Sequence, residues 1–393
     1  MGNKRIASID ILRALTMLLM IWVNDFWSII GVPKWLQHAE WGEDYLGFSD
    51  IIFPLFLFIV GLSIPLAIEQ GRTKGLVSTS IAKQVIIRSA SLLVIGFFMV
   101  NYETIHTESL LINKMGYFVI MTIAVVLIWM HWKRTPVPVK WHLPLQLLGV
   151  VLLVFLAVIY KGGDDGELWM TGQWWGILGL IGWAYLINAL LFILFRGNFA
   201  AIIGLFLLFS TLSVLSHSNY LPALPEYLSF LNTIYSGTIP AIATAGMVAL
   251  LLVRKLAKEH SQWIFPALII LGGLTISFGI GTRPIWGISK MSGTPSWLGI
   301  CVGIAFILFA INYVIADVKK KTKWANLIGA AGTATLTCYI LYPIINPLKD
   351  VIGIILPESF HQGFIGLLYS FIFAVITVLI VGWIEKKGFK LKL

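Results

Sequence analysis

A histidine in a short polar segment is the first residue whose type suggests chemistry. His38 lies between Trp35 and Gly42, and Asp50 follows where the next apolar stretch begins. An imidazole titrates near neutral pH, so it suits the removal of a proton from an attacking hydroxyl or amine. A carboxylate from Asp50 or Glu40 would orient the ring. Composition does not distinguish His38 from three other loop histidines, His106, His217 and His361. Any of the four could also be an ordinary polar surface residue.

Ionisable residues inside the first apolar stretch form a second group. Asp10 and Arg13 are neighbours on a helix, and Asn24 lies about three turns beyond Arg13 on the same face. Charged side chains are costly in lipid, so this face is predicted to point into a helix bundle. Two interpretations stay open, because Arg13 either pairs with Asp10 and reaches the interface or meets an anionic ligand.

Several other chemistries have no support in the sequence. It contains no Ser-His-Asp spacing, HExxH motif, Walker loop or Cys-His cluster. Cys301 and Cys338 lie in apolar stretches, so neither a disulfide nor a metal site is predicted. The net charge of +10 does not indicate nucleic-acid binding, because the basic residues concentrate in loops between apolar stretches.

The elements that must position these residues are membrane spans. Hydrophobic residues make up 58% of the 393 residues and charged residues only 12%, and a bilayer crossing needs about 20 apolar residues in a helix. Twelve stretches qualify, although eleven is possible: 8–30, 50–69, 81–100, 115–132, 143–160, 174–195, 199–216, 237–253, 263–280, 297–316, 325–345 and 363–384. The predicted fold is therefore an all-α polytopic membrane protein, with residues 1–393 as a single domain.

Charge sets the predicted orientation. Lys and Arg concentrate in alternate loops, as at Arg72, Lys74, Arg134 and 319–323, and these loops are predicted to face the cytoplasm. Both chain ends then lie on that side. Tryptophans gather near the other boundary, which fits either the usual interfacial belt or an aromatic vestibule for a sugar.

The residues around His38 also resemble a known family. The segments Ser8 to Asn24, His38-Ala39-Glu40-Trp41-Gly42 and Asp50 to Gly61 resemble the heparan-α-glucosaminide N-acetyltransferases, in particular their bacterial branch. A weaker match covers Lys290 to Trp297 and Tyr313 to Val318.

The resemblance implies transfer of an acetyl group from cytoplasmic acetyl-CoA to an amino sugar of the glucosamine type on the far side of the membrane. His38 would be catalytic, as a general base or a transient acetyl carrier, with Asp50 orienting it and either Asn24 or a tryptophan N–H stabilising the oxyanion. Five residues would bind acetyl-CoA: Arg13, Asp10, Arg72, Lys74 and Arg88. Four would contact the sugar: Trp41, Glu40, Lys290 and Trp297. No metal is expected, the location would be a bacterial inner membrane, and a homodimer is possible.

This chain departs from the family in two segments. Near its end, the family's Gly-x-Asn before a tyrosine is replaced by Gly332-Thr333-Ala334, with Tyr339 kept. Where the family has a Gln and two Arg, Gly176 to Trp183 supplies none of them. The alternative function is therefore an amino-sugar transporter that performs no acyl transfer. A purely structural membrane protein is disfavoured by the polar face of the first span.

Overall fold

Apart from its loops, the described part of the protein is helical. The structure, a computed structural model, describes residues 6–351 and 357–393, without the side chains of 346–351. Its α-helices are α1 (Ala7–Phe26), α2 (Ser49–Thr73), α3 (Ser78–Glu103), α4 (Lys114–Trp129), α5 (His142–Ile159), α6 (Ile177–Leu194), α7 (Phe199–His217), α8 (Asn232–Tyr235), α9 (Thr238–Glu259), α10 (Ile264–Trp286), α11 (Pro295–Tyr313), α12 (Gly329–Thr333), α13 (Thr335–Val351) and α14 (Gly363–Lys386). Within these ranges strand pairing is limited to isolated bridges.

The number of spans is slightly lower than twelve. In the described ranges 10 helices are long and apolar enough to cross a membrane, or 11 if one bent pair counts as a span. The remaining predicted stretch is α4, which has 16 residues and is therefore only about 24 Å long. The all-α, multi-pass architecture predicted from the sequence is confirmed, and α4 accounts for the difference in count.

Two helices form the centre of the bundle. Most of α2 and α9 is buried, whereas α5, α7 and α10 present most of their apolar surface outward, as lipid-facing helices do. The backbones of α2 and α9 approach closely at glycines. A Cβ on Gly61 would lie 1.8 Å from the carbonyl oxygen of Ala243, and one on Gly246 would lie 2.0 Å from that of Phe58. Only hydrogen fits at these two positions.

The first helix is fixed at its start by a distant carboxylate. Asp317 follows α11 in a short π-helical turn (Val314–Val318) and accepts hydrogen bonds from the backbone amides of Ala7 (2.8 Å) and Ser8 (3.0 Å). Backbone amides at a helix start have no partner within the helix, and a negative charge there is favourable. This contact gives a structural role to the Asp-Val segment after Tyr313.

A broken helix lies beside α1. The helical segments 323–333 and 335–345 meet at an angle of 83°. Gly332 packs directly on α1, since a Cβ there would lie 2.7 Å from the carbonyl oxygen of Asp10. The break turns the backbone of 332–336 toward the bundle interior, where it lines a cavity.

The bundle has two distinct ends. Ala7 and Asp10 of α1 line one groove together with Trp383 and Lys386 of α14. The start of the first helix and the end of the last helix therefore lie at the same end of the bundle. We call this the basic face, because it carries Arg13, Arg88, Arg134 and Lys390. The opposite end is formed by the loops 27–48 and 287–294, and we call it the His38 face.

Candidate functional site

His38 is held by the first turn of α2. Its ring Nδ1 lies 2.7 Å from Oδ1 of Asp50, whose side chain is 1% exposed. The second carboxylate oxygen of Asp50 accepts hydrogen bonds from the backbone amides of Ala39 (2.9 Å) and Gly47 (3.1 Å). Gly47 is required here, because a Cβ would lie 1.7 Å from the carbonyl oxygen of Gln37. One buried carboxylate thus organises the whole loop around the histidine.

The contact with Asp50 assigns the ring proton. An ionised carboxylate only accepts hydrogen bonds, so a 2.7 Å contact places the proton of a neutral His38 ring on Nδ1. The lone pair is then on Nε2, and no described residue forms a hydrogen bond with that atom. The side chain is 21% exposed, so the His38 ring is partly open to solvent.

Lys290 reaches the same pair from the loop between α10 and α11. Its Nζ lies 3.2 Å from Nδ1 of His38 and 3.8 Å from Oδ1 of Asp50, and its side chain is 25% exposed. Burial lowers the pKa of Lys290 from its usual value, while the negative charge of Asp50 opposes that shift. The sequence suggested Lys290 as a sugar contact, whereas the structure places it against the His38–Asp50 pair.

The two loops that carry these residues are tied together by Asp44. Its carboxylate accepts hydrogen bonds from the backbone amide of Ile288 (2.6 Å) and from Nε of Arg283 (3.0 Å). These bonds hold the pKa of Asp44 below its usual value, the backbone bond first. Asp44 therefore fixes the loop of Lys290 relative to the loop of His38.

Three of the predicted sugar contacts, Trp41, Glu40 and Trp297, differ in their exposure. Trp41 is 79% exposed, and Glu40 lies on the surface beside it, so both remain available to a ligand. Trp297 is 1% exposed, and its indole N–H donates to the backbone carbonyl of Asp50 at 3.3 Å. The buried Trp297 side chain thus supports the first turn of α2 and is not accessible to a sugar. Trp27, which the sequence did not single out, places its ring 5.6 Å from that of His38.

Asn24 lies one turn before Trp27 on α1. Its amide nitrogen donates to the hydroxyl of Tyr342 at 3.1 Å, and the ring of Tyr342 contacts that of Tyr339 at 6.1 Å. Asn24 is thus near the His38 site, and its bond to α13 links α1 with the helix that follows the break.

A cavity of about 510 Å³ opens at the basic face. Arg13 lines it and bonds with Asp10 (3.1 Å), Ser63 (2.7 Å) and the carbonyl of Gly332 (3.4 Å). Arg88 also lines it, with its guanidinium 5.4 Å from the ring centre of Tyr185. Arg72 at the end of α2 and Lys74 just beyond it, which the sequence suggested for the same purpose, lie outside the cavity lining. Four further basic residues of the lining were not predicted as ligands: His131, Arg134, Lys390 and Lys392.

The cavity extends from the basic face toward His38. Its lining includes Met20 of α1 and Phe56 of α2. With 1.5 Å of rise per residue, Met20 is about 6 Å below Asn24, and Phe56 is about 9 Å below Asp50. The contact of Arg13 with Ser63 lies about 20 Å from Asp50 along α2. One side of the upper cavity is apolar, since Ile177, Leu178 and Ile181 of α6 line it.

The structure distinguishes His38 from the other loop histidines. His106 contacts the hydroxyl of Ser109, and both ring nitrogens of His217 contact backbone carbonyls. Among the described residues, the ring of His38 alone forms an ion-pair contact with a carboxylate. His38 is therefore the histidine with the geometry of a general base.

Comparison with known proteins finds a distant relationship. The chain is 31% identical over 99 residues to heparan-alpha-glucosaminide N-acetyltransferase of Mus musculus and 33% identical over 98 residues to that of Homo sapiens. Each match covers 25% of this chain and 14% of the relative. The chain thus spans about a seventh of the length of the curated relatives it matches. No family model matches the chain. The similarity supports the family relationship that the sequence segments around His38 suggest.

Proposed function

We propose that this protein is a membrane acetyltransferase that moves an acetyl group from acetyl-CoA at the basic face to an amino sugar at the His38 face. The distant similarity to two glucosaminide N-acetyltransferases supports a membrane acetyltransferase in general. The observation that carries the proposal is the partly exposed His38–Asp50 pair above a basic cavity that extends toward it.

His38 is the general base in this proposal. Nε2 accepts the proton that the attacking amine loses as the new C–N bond forms and the C–S bond of the thioester breaks, with CoA leaving as its thiolate. The imidazolium then carries protons on both nitrogens, and Asp50 stabilises it through Nδ1. Trp41 and Glu40, exposed next to His38, would contact the ring and the amino group of the sugar.

The basic cavity is the proposed donor site. Acetyl-CoA supplies the acetyl group as a thioester, and its phosphates require cationic partners. Arg88, Arg134 and Lys390 line the cavity together with Arg13, and charge-assisted hydrogen bonds from such groups are strong. A volume of about 510 Å³ lies within the range of sites that bind small molecules. The apolar wall from α6 suits the non-phosphorylated arm of the donor.

This assignment implies a location. Acetyl-CoA is a cytoplasmic metabolite, and the basic face matches the cytoplasmic side predicted from the loop charges. We therefore place the protein in a bacterial cytoplasmic membrane, with the acceptor on the opposite side.

The proposal is tested with purified protein in nanodiscs, radiolabelled acetyl-CoA and glucosamine. We expect labelled N-acetylglucosamine from the unaltered protein, and a loss of at least 100-fold, on the order expected for a general base, from His38→Ala. His106→Ala, which alters another loop histidine, is the matched control and should keep full activity. Absence of transfer by the unaltered protein, or full transfer by His38→Ala, would contradict the proposal.

A transporter remains the second candidate because of one observation. The break between α12 and α13 lines the cavity, and broken helices that line a cavity are typical of substrate sites in transporters. Uptake of labelled N-acetylglucosamine into proteoliposomes that lack acetyl-CoA would support this candidate against the acetyltransferase.

A further inference from the structure

Lys290 occupies a position that a substrate contact does not explain. Its Nζ lies 3.2 Å from Nδ1 of His38, on the side of the ring that faces Asp50, and not near Nε2. Since the Nδ1 proton is committed to Asp50, Nδ1 has no lone pair to accept a hydrogen bond from Lys290. The ammonium group therefore acts on the pair through its charge, with Oδ1 of Asp50 at 3.8 Å.

The other ionisable groups around the ring are few. Asp50 comes from α2 and Lys290 from the loop before α11, while the thiol of Cys301 on α11 is buried beneath Lys290. Glu43, from the loop that carries His38, acts on Asp50 through space and is paired with Lys34. The side of the ring toward α1 meets Trp27, which has no charge. The electrostatic environment of Nδ1 is thus set by the charges of Asp50 and Lys290.

These two charges have opposite effects on the imidazole. The carboxylate of Asp50 favours the imidazolium form, and the ammonium group of Lys290 disfavours it. A general base must be unprotonated before the reaction, so the charge of Lys290 acts in the direction that a catalytic His38 requires.

We propose that Lys290 is a positioning residue whose positive charge opposes the negative charge of Asp50 at Nδ1 and so favours the unprotonated His38 ring, with Nε2 ready to accept a proton. This inference rests on the proposed function for its meaning in catalysis, but the charge balance itself is measurable without any reaction. The role differs from the sugar contact that the sequence suggested for Lys290.

The test is residue-resolved modification of His38 by diethylpyrocarbonate, which reacts with unprotonated imidazole, followed over pH by mass spectrometry. In Lys290→Met the positive charge is gone, so the midpoint of modification should move to higher pH by about one unit or more, because a charge within a few ångströms has an effect of roughly 1–3 units. Lys290→Arg keeps the charge and should keep the midpoint. Lys114→Met, at the start of α4, is the matched control and should leave it unchanged.

A midpoint in Lys290→Met that is unchanged or moves to lower pH would overturn the proposal. If thermal unfolding shows that Lys290→Met does not fold, Lys290→Gln removes the charge while keeping a polar group, and the same outcomes apply. In the acetyl-transfer assay the acid limb of kcat/KM should move in the same direction as the modification midpoint. A shift in modification without any acetyl transfer would uphold this inference and contradict the proposed function.

Discussion

Oδ1 of Asp50 lies 2.7 Å from Nδ1 of His38, and this contact decides which ring nitrogen is available for chemistry. Asp50→Asn replaces the acceptor with an amide that can present N–H to the ring, which would favour the tautomer with its proton on Nε2. We expect kcat to fall by about 10²–10⁴-fold, as for an orienting aspartate behind a catalytic histidine.

The check on Asp50→Asn is steady-state kinetics together with thermal unfolding in detergent. Asp165→Asn, an exposed acidic residue on another loop, is the control and should retain full activity. A folded Asp50→Asn protein with unchanged kcat would show that Asp50 does not orient the catalytic ring.

The basic cavity predicts that substitutions of basic residues inside and outside its lining have different effects on KM for acetyl-CoA. Arg88→Ala and Arg134→Ala should each raise KM for acetyl-CoA by about 10-fold, since a hydrogen bond to a charged group contributes about 1.5–3 kcal/mol, with little change in kcat. Arg72→Ala and Lys74→Ala alter residues outside the cavity lining and should leave KM unchanged. Equal effects of all four variants would indicate a general charge effect of the basic face and not a donor site.

The contact of Asp317 with the start of α1 predicts a structural effect. Asp317→Ala leaves the amides of Ala7 and Ser8 without their acceptor, which should cost about 1–2 kcal/mol of stability. Asp317→Asn keeps one acceptor oxygen and should cost less. Thermal unfolding of the purified variants measures the order, and an Asp317→Ala protein as stable as the original would rule out the capping role.

The close approach of α2 and α9 predicts an intolerance to side-chain volume. Gly246→Ala should lower the yield of folded protein strongly, because its Cβ would meet the backbone of Phe58 and the helices must separate. Gly273→Ala, on the outward-facing α10, meets nothing within 4 Å and should be tolerated. Fluorescence-detected size-exclusion chromatography compares the two, and similar profiles would contradict the packing described here.

Local patterns in the sequence predicted the helices and one half of the site. The apolar stretches gave the multi-pass fold, and His38 with Asp50 was a candidate pair because both flank one helix start. The length of α4 and the angle between α12 and α13 were harder to predict, since the angle depends on the packing of Gly332 against Asp10.

The remaining parts of the site depend on contacts between distant segments. Lys290 is far from His38 in sequence, and the position of its loop depends on the bonds of Asp44 with Ile288 and Arg283. Arg134 and Lys390 looked like ordinary charges of cytoplasmic loops. Their convergence on one cavity with Arg13 follows from the packing of the helices, which no local pattern encodes.

The central claim is that an acetyl group passes from a donor on one side of the membrane to an acceptor on the other. The most direct measurement uses proteoliposomes that contain radiolabelled acetyl-CoA, with glucosamine added only outside. We predict labelled N-acetylglucosamine in the outer solution, absent from empty liposomes and from liposomes with His38→Ala. Label transfer only when donor and acceptor share one compartment would contradict the account.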